Sequence, residues 1–331
     1  QVPQAGANVE TTIDIELQKV AEDALARLMK QLRDPMVNTS GEGLDAEGAA
    51  VVVMEVKTGE VLVCASYPTY NLATMHEDWA DIEADPYNPF FNRAFGAEYP
   101  PGSTFKMCTL IAAMENKNSK GEIIHPYGTE IKDEGIYTKY QGFNPTCLAW
   151  TSGRYTHGVI DASLALCYSC NYFFYDIGDK ISLAAMDNTA KALGLGEKTG
   201  IELPENTGRR ANPETKKKLY GKDQQAWTAA DAITSAIGQS DHQFTPLQLV
   251  NYVATLVNGG TRYQPHLLKA VTDYTTGEVY EDVQPTVLNT VSISDASVNA
   301  IKEGMKGVVT EDGTASSYFA GFPIQVGGKT G

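Results

Sequence analysis

Residues 97–117 read AEYPPGSTFKMCTLIAAMENK, and the setting of Ser103 and Lys106 within them decides how the rest of the chain is read. Pro100, Pro101 and Gly102 end whatever precedes them. Phe105, Met107, Leu110, Ile111 and Met114 then recur at helical spacing, which predicts a buried helix with Ser103 at or just before its first turn. Lys106 lies one helical turn further on, on the same face as Ser103. Serine is a common helix cap, and a single lysine near a helix start is ordinary. Here, however, the macrodipole disfavours positive charge, and burial pushes a lysine towards its neutral form. A neutral amine beside a hydroxyl is a general base beside a nucleophile. No other S-x-x-K occurs in the chain.

The chain has 331 residues, enough for a large core. Its 26 basic and 41 acidic residues give a formal charge of −15. That balance argues against nucleic acid and against electrostatic docking on anionic lipid. No apolar run is long enough to span a bilayer, and Gln1 is not followed by the charged and apolar regions of a signal peptide. Both fit a fragment cut from an anchored precursor. Cys64, Cys108, Cys147, Cys167 and Cys170 are too few in so long a chain for a disulfide scaffold.

From Asp14, a capping residue, an amphipathic helix is predicted to about Arg33. AAVVVMEVKTGEVLVCASY (residues 49–67) reads as a hairpin around Lys57-Thr58-Gly59. Residues 71–99 carry little periodicity and are expected to be an excursion, and 122–158 to be loop-rich with short strands. Helical patterns follow in DASLALCYSCNYFFYDIGDKI (161–181), in LAAMDNTAKALGLG (183–196), in TPLQLVNYVATLVNGG (245–260) and near 294–309. NPETKKK (212–218) reads as a solvated basic turn. HLLKAVTDYTTGEVYED (266–282) and FPIQVGGKTG (322–331) read as strands. Strands at both ends with helices between them predict an α+β domain whose sheet draws on distant segments.

If Ser103 and Lys106 do chemistry, other polar groups must reach them. CYSCNYFF places Ser169 and Asn171 in an apolar setting, and VGGKTG puts Lys329, Thr330 and Gly331 at the end of a strand pattern, where Gly327 and Gly328 let another backbone approach. Ser297-Val298-Asn299, in a polar helical stretch, and Lys57-Thr58-Gly59, in the hairpin turn ahead of Ser103, are decoys of the same two tripeptides.

S-x-x-K, S-x-N and K-T-G in this order mark the penicillin-binding proteins and serine β-lactamases. With TTIDIELQ, RAFGAEYPPGSTFK and SAIGQSDHQFTPLQLVNYVATLVNGG, the chain resembles the transpeptidase domain of class B penicillin-binding proteins over nearly its whole length. The resemblance implies a penicillin-binding protein/serine β-lactamase-like fold: a central antiparallel sheet with an inserted helical and loop lobe, roughly 104–260, within one transpeptidase domain of 1–331. It implies a peptidoglycan D,D-transpeptidase that cross-links stem peptides through a serine acyl-enzyme and is acylated by β-lactams. Ser103 would be the nucleophile and Lys106 its base. Ser169 would relay a proton and Lys329 supply positive potential. Asn171 would bind the donor peptide, and Thr330 with Gly331 would bind its carboxylate.

In that family a backbone N–H beyond K-T-G completes the oxyanion hole, and closing strands and a helix follow, so either a truncated sequence or a second fragment completing the fold is expected. A D,D-carboxypeptidase or β-lactamase-type hydrolase, and a non-enzymatic β-lactam sensor, are the rival readings. The resemblance also implies the outer face of the cytoplasmic membrane, an N-terminal anchoring helix absent here, and a SEDS-type glycosyltransferase partner. Acyl transfer would need no cofactor. Asp133, Cys147, His157 and Cys170 form a candidate zinc set beside Ser169 and Asn171, similar to a metal site in some elongation-type members. Buried thiols or a Cys147–Cys170 disulfide are the alternatives.

Overall fold

The computed structural model describes residues 6–310 and 312–331. The chain divides into two compact units, one of Gln1–Tyr99, Glu197–Thr207 and Phe244–Thr290, the other of Pro100–Gly196, Gly208–Gln243 and Val291–Gly331.

The first unit holds most of the strands. Its long helix, Ile15–Arg33, starts where expected, because the Asp14 carboxylate accepts from the N–H groups of Glu16 and Leu17. Leu25 of this helix packs on Val63 and Ala65 of the hairpin. The hairpin strands Ala49–Met54 and Val61–Tyr67 pair antiparallel, with a bulge at Val53/Met54. Its turn contains the decoy Lys57-Thr58-Gly59, where the Glu55 carboxylate accepts from the N–H groups of Lys57 and Thr58. A second sheet runs in the order Ala7–Thr11, Leu268–Asp273, Val279–Asp282, and Thr261–Tyr263 pairs with Val287–Thr290. The helix Pro246–Val257 opens with a reciprocal Thr245–Gln248 capping box and proline in its first turn.

The second unit is mainly helical. A 3₁₀ turn, Gly102–Phe105, carries Ser103 and runs directly into the helix Lys106–Glu115. Every residue from Lys106 to Met114 is buried. Around it lie the helices Ala162–Cys167, Asn171–Gly178, Leu183–Ala192, Ala229–Ser235 and Asp295–Val309, and the strand pair Ile131–Asp133 with Gly158–Ile160. No helix among the described residues is long and apolar enough to cross a membrane.

Four details differ from the sequence reading. The strands are antiparallel as expected, but among the described residues they form a three-stranded and three two-stranded sheets instead of one continuous sheet. FPIQVGGKTG pairs with no strand there. It lies along the Asp295–Val309 helix, with Gly328 N–H donating to Met305 O at 2.9 Å. A Cβ on Gly327 would stand 3.2 Å from Met305 Cβ and one on Gly328 3.3 Å from Val309 Cγ1, so the glycines do serve a close approach, to a helix. NPETKKK forms a helix, Pro213–Leu219, because Asn212 caps it and Lys216 pairs with Asp231 at 2.6 Å. Finally, the predicted helix over 161–181 is broken at Ser169.

Candidate active site

The break at Ser169 builds the site. The Ala162–Cys167 helix ends with Ser169 N–H donating to Leu166 O (3.2 Å) and Cys170 N–H to Ala165 O (2.9 Å), the paired closure that normally has glycine in the left-handed position. Ser169 takes that position, with φ of 53°. For a residue with a Cβ this costs about 1–2 kcal/mol, and strain of this kind collects at functional sites. It turns both the Ser169 carbonyl and its hydroxyl towards Lys106. The supporting helix is pressed close to Asp295–Val309, since a Cβ on Gly304 would come within 2.7 Å of Leu166 Cβ and one on Gly307 within 3.0 Å of Cys167 Sγ.

Lys106 is fully buried. Its Nζ donates to Ser169 O at 2.8 Å, Ser169 Oγ at 3.2 Å and Asn171 Oδ1 at 2.6 Å. The Phe174 ring centroid lies 5.4 Å away. Lys329 Nζ donates to the same Ser169 Oγ at 2.9 Å and to Thr330 O at 2.9 Å. Two ammonium groups thus converge on one hydroxyl. Burial and then the neighbouring Lys329 charge lower the Lys106 pKa to about 7, against a smaller opposing pull from Cys170 and Cys147. Burial lowers Lys329 to about 8. Each amine is therefore poised to lose its proton near neutrality, the condition for a general base.

The third motif also reaches the first. A Cβ on Gly331 would lie 3.0 Å from Thr104 Cγ2 and 3.1 Å from Pro101 O, beside the Ser103 turn. All seven expected acyl-transfer and substrate residues (Ser103, Lys106, Ser169, Asn171, Lys329, Thr330 and Gly331) lie in the second unit. One expected link is not made: among the described residues no hydrogen bond joins Ser103 Oγ to Lys106 Nζ, whose three protons go to the second motif. The decoys serve elsewhere. Ser297 is buried and donates, with Ser294, to Glu115 at the start of the Asp295–Val309 helix.

Sequence reasoning attached no role to Gly238. Gly102 N–H donates to Gly238 O at 3.1 Å, and Gly238 has φ of 77°. A Cβ there would lie 1.9 Å from Gly102 O, so glycine alone allows this turn to support Ser103. Thr314 was also missed: its Oγ1 lies 2.9 Å from Thr330 Oγ1. Neither residue belongs to a periodic pattern, and only the tertiary contact distinguishes them.

Asp133, Cys147, His157 and Cys170 come together, with their potential ligand atoms all within 4.8 Å of one another. Both thiols are free. Cys147 Sγ lies 3.8 Å from Cys170 Sγ and 3.7 Å from His157 Nδ1. Zinc–sulfur bonds of about 2.3 Å and zinc–nitrogen bonds of about 2.0 Å at tetrahedral angles give edges of about 3.8 and 3.5 Å. The sulfur and imidazole donors therefore fit a tetrahedral ion. Asp133 Oδ2 accepts from both His157 N and His157 Nδ1, at 2.9 and 2.8 Å. The hydrogen bond from Cys170 lowers the Cys147 pKa to about 4, against burial, and the same bond with burial raises that of Cys170.

An α+β fold with these three motifs converging in its helical unit defines the penicillin-binding protein/serine β-lactamase class. Residues 49–331 match the family model described as the penicillin binding protein transpeptidase domain. The chain belongs to the transpeptidase domain family of the class B penicillin-binding proteins. It is 30% identical over 336 residues to the peptidoglycan D,D-transpeptidase MrdA of Escherichia coli K12, covering 99% of this chain and 48% of that protein. It is similar to the Helicobacter pylori penicillin-binding protein PBP2 in its complex with MreC (TM-score 0.76, 26% identity, 98% of this chain and 54% of that one). It is also similar to a chain from a peptidoglycan synthase complex that coordinates polymerization and crosslinking (TM-score 0.78, 29% identity, 98% and 53%). The chain spans about half the length of the curated relatives it matches.

Proposed function

We propose that this chain is the transpeptidase domain of a peptidoglycan D,D-transpeptidase and cross-links stem peptides through an acyl-enzyme on Ser103. The observation that carries the reading is the convergence of Lys106 and Lys329 on the Ser169 hydroxyl, in a member of this family. Ser103 Oγ attacks the penultimate D-alanine carbonyl and gives its proton to neutral Lys106. As an ammonium Lys106 satisfies all three of its acceptors. As a neutral amine it has two protons and one lone pair, so its longest bond, to Ser169 Oγ at 3.2 Å, is the one most readily given up. The proton then passes through Ser169 to the departing D-alanine amine, while Lys329 contributes positive potential. Asn171 Oδ1 is engaged by Lys106, so Asn171 would meet the donor peptide as an amide N–H donor. Thr330, beside Gly331, holds the terminal carboxylate. An amine from a neighbouring strand attacks the ester, forming the cross-link and restoring the Ser103 hydroxyl. A β-lactam takes the place of D-Ala-D-Ala and leaves its acyl group on Ser103.

The domain would sit on the outer face of the cytoplasmic membrane in an anchored protein, and the place of a similar chain in a peptidoglycan synthase complex that coordinates polymerization and crosslinking supports a SEDS-type glycosyltransferase as its partner. The test is to incubate the intact protein with nascent peptidoglycan and analyse the digest by mass spectrometry. Cross-linked dimers with release of D-alanine are expected. Release of D-alanine without dimers would assign a carboxypeptidase instead.

The acyl transfer draws on no cofactor. Asp133, Cys147, His157 and Cys170 would hold a structural zinc ion. Four protein donors leave no position for water, so the ion's contribution would be to pin Cys170 and with it Ser169 and Asn171 on either side. Metal analysis is expected to find about one zinc per chain. Cys147→Ser and His157→Ala should each lose it with a lowered melting temperature. Metal-free protein that chelator leaves unchanged in stability and β-lactam reactivity would refute the site.

A further inference from the structure

We infer that Thr314 is a positioning residue for the Thr330 hydroxyl, holding it as a donor to the carboxylate of the donor peptide or β-lactam. The inference rests on the reading of Thr330 as the carboxylate-holding residue. The two hydroxyls are 2.9 Å apart and both residues are exposed, so the pair faces incoming solute. Each hydroxyl has one proton. A carboxylate only accepts, so Thr330 must give its proton to the carboxylate and accept the proton of Thr314. A donor chain in this direction polarises Thr330 and restricts its rotation.

One helix holds both residues. Ala315 N–H donates to Val308 O at 2.9 Å, and a Cβ on Gly313 would lie 2.2 Å from Gly307 O, so Thr314 is seated at the end of the Asp295–Val309 helix. Gly328 N–H donates to Met305 O at 2.9 Å, two residues before Thr330. The spacing of the two hydroxyls is thus set by a shared rigid element.

The test measures second-order acylation rate constants of the intact protein with benzylpenicillin and with its methyl ester, which keeps the β-lactam but lacks the carboxylate. Thr314→Val is expected to slow acylation by the acid about three- to tenfold, the range of one neutral hydrogen bond, and to leave the ester rate unchanged. Thr314→Ser should restore the acid rate. Equal slowing of acid and ester would overturn the inference, because a structural defect does not select for the carboxylate. Thr330→Val separates the two levels. If it narrows the acid-to-ester ratio and Thr314→Val does not, the positioning role is wrong and the Thr330 reading stands. If Thr330→Val leaves the ratio unchanged, the carboxylate reading itself fails, and the role of Thr314 falls with it.

Discussion

Ser103→Ala is expected to abolish the covalent adduct that a β-lactam leaves on the protein. The wild-type protein should gain the mass of the opened lactam on the peptide containing Ser103, and the variant should gain none. Among the motif hydroxyls the geometry selects this one. Ser169 Oγ lies within hydrogen-bond reach of both lysine amines, of which Lys329 keeps its charge in the productive state and withdraws electron density from it. Thr330 Oγ1 is paired with Thr314. Ser103 is part-buried at the head of the Lys106 helix, on a turn that Gly238 braces from behind. The substitution removes one oxygen and leaves the backbone contacts of Gly102 and Gly238 intact, so folding should persist and the melting temperature should change little. An adduct on the Ser103→Ala protein would move the nucleophile elsewhere, Ser169 being the first alternative.

Lys106→Ala should slow acylation by about 10²–10⁴-fold, the usual contribution of a general base. The pH profile supplies a sharper test. The productive state has Lys106 neutral and Lys329 charged. Lys106 loses its proton near pH 7 and Lys329 near pH 8, so acylation should follow a bell with its maximum between these values. Lys329→Arg retains its charge above pH 8 and should lift the alkaline limb, while Lys106→Ala should erase the acid limb. An acid limb that survives in Lys106→Ala would show that another group accepts the proton. The same shift has a sign for stability. Lys106 titrates near 7 when folded and near 10.5 when exposed, so between these values the unfolded chain binds the additional proton. Stability should therefore rise with pH across that window and, as far as Lys106 is concerned, level off above it. Burial of the lysine is what destabilises the fold at lower pH, as expected when function requires an amine without its proton.

Much of this site is legible from the chain because its parts are short motifs in distinctive local settings. The helix caps at Asp14 and Thr245, the hairpin turn at Glu55 and the apolar run of the Lys106 helix are local physics, decided within a few residues. Ser103, Lys106, Asn171, Lys329 and Thr330 follow from tripeptides whose order supplies the information each lacks alone. The zinc candidates Asp133, Cys147, His157 and Cys170 follow no standard spacing, yet the fold gathers them.

The remainder has one physical origin, that the groups concerned answer to partners far away in sequence. Nothing local stops a helix at Ser169. Its left-handed backbone persists because Lys106, 63 residues away, and Lys329, 160 residues away, bind the carbonyl and hydroxyl it presents. The K-T-G segment has the alternation of a strand but lies against a helix, since Gly327 and Gly328 fit beside Met305 and Val309. Gly238 and Thr314 carry no signal of their own, because a glycine's value lies in the atom it avoids and a threonine's in the hydroxyl it faces. Local order along the chain specifies which chemical groups the protein carries and where its helices begin. Long-range burial and close approach decided which of those groups meet, and with that the protonation states on which the proposed chemistry depends.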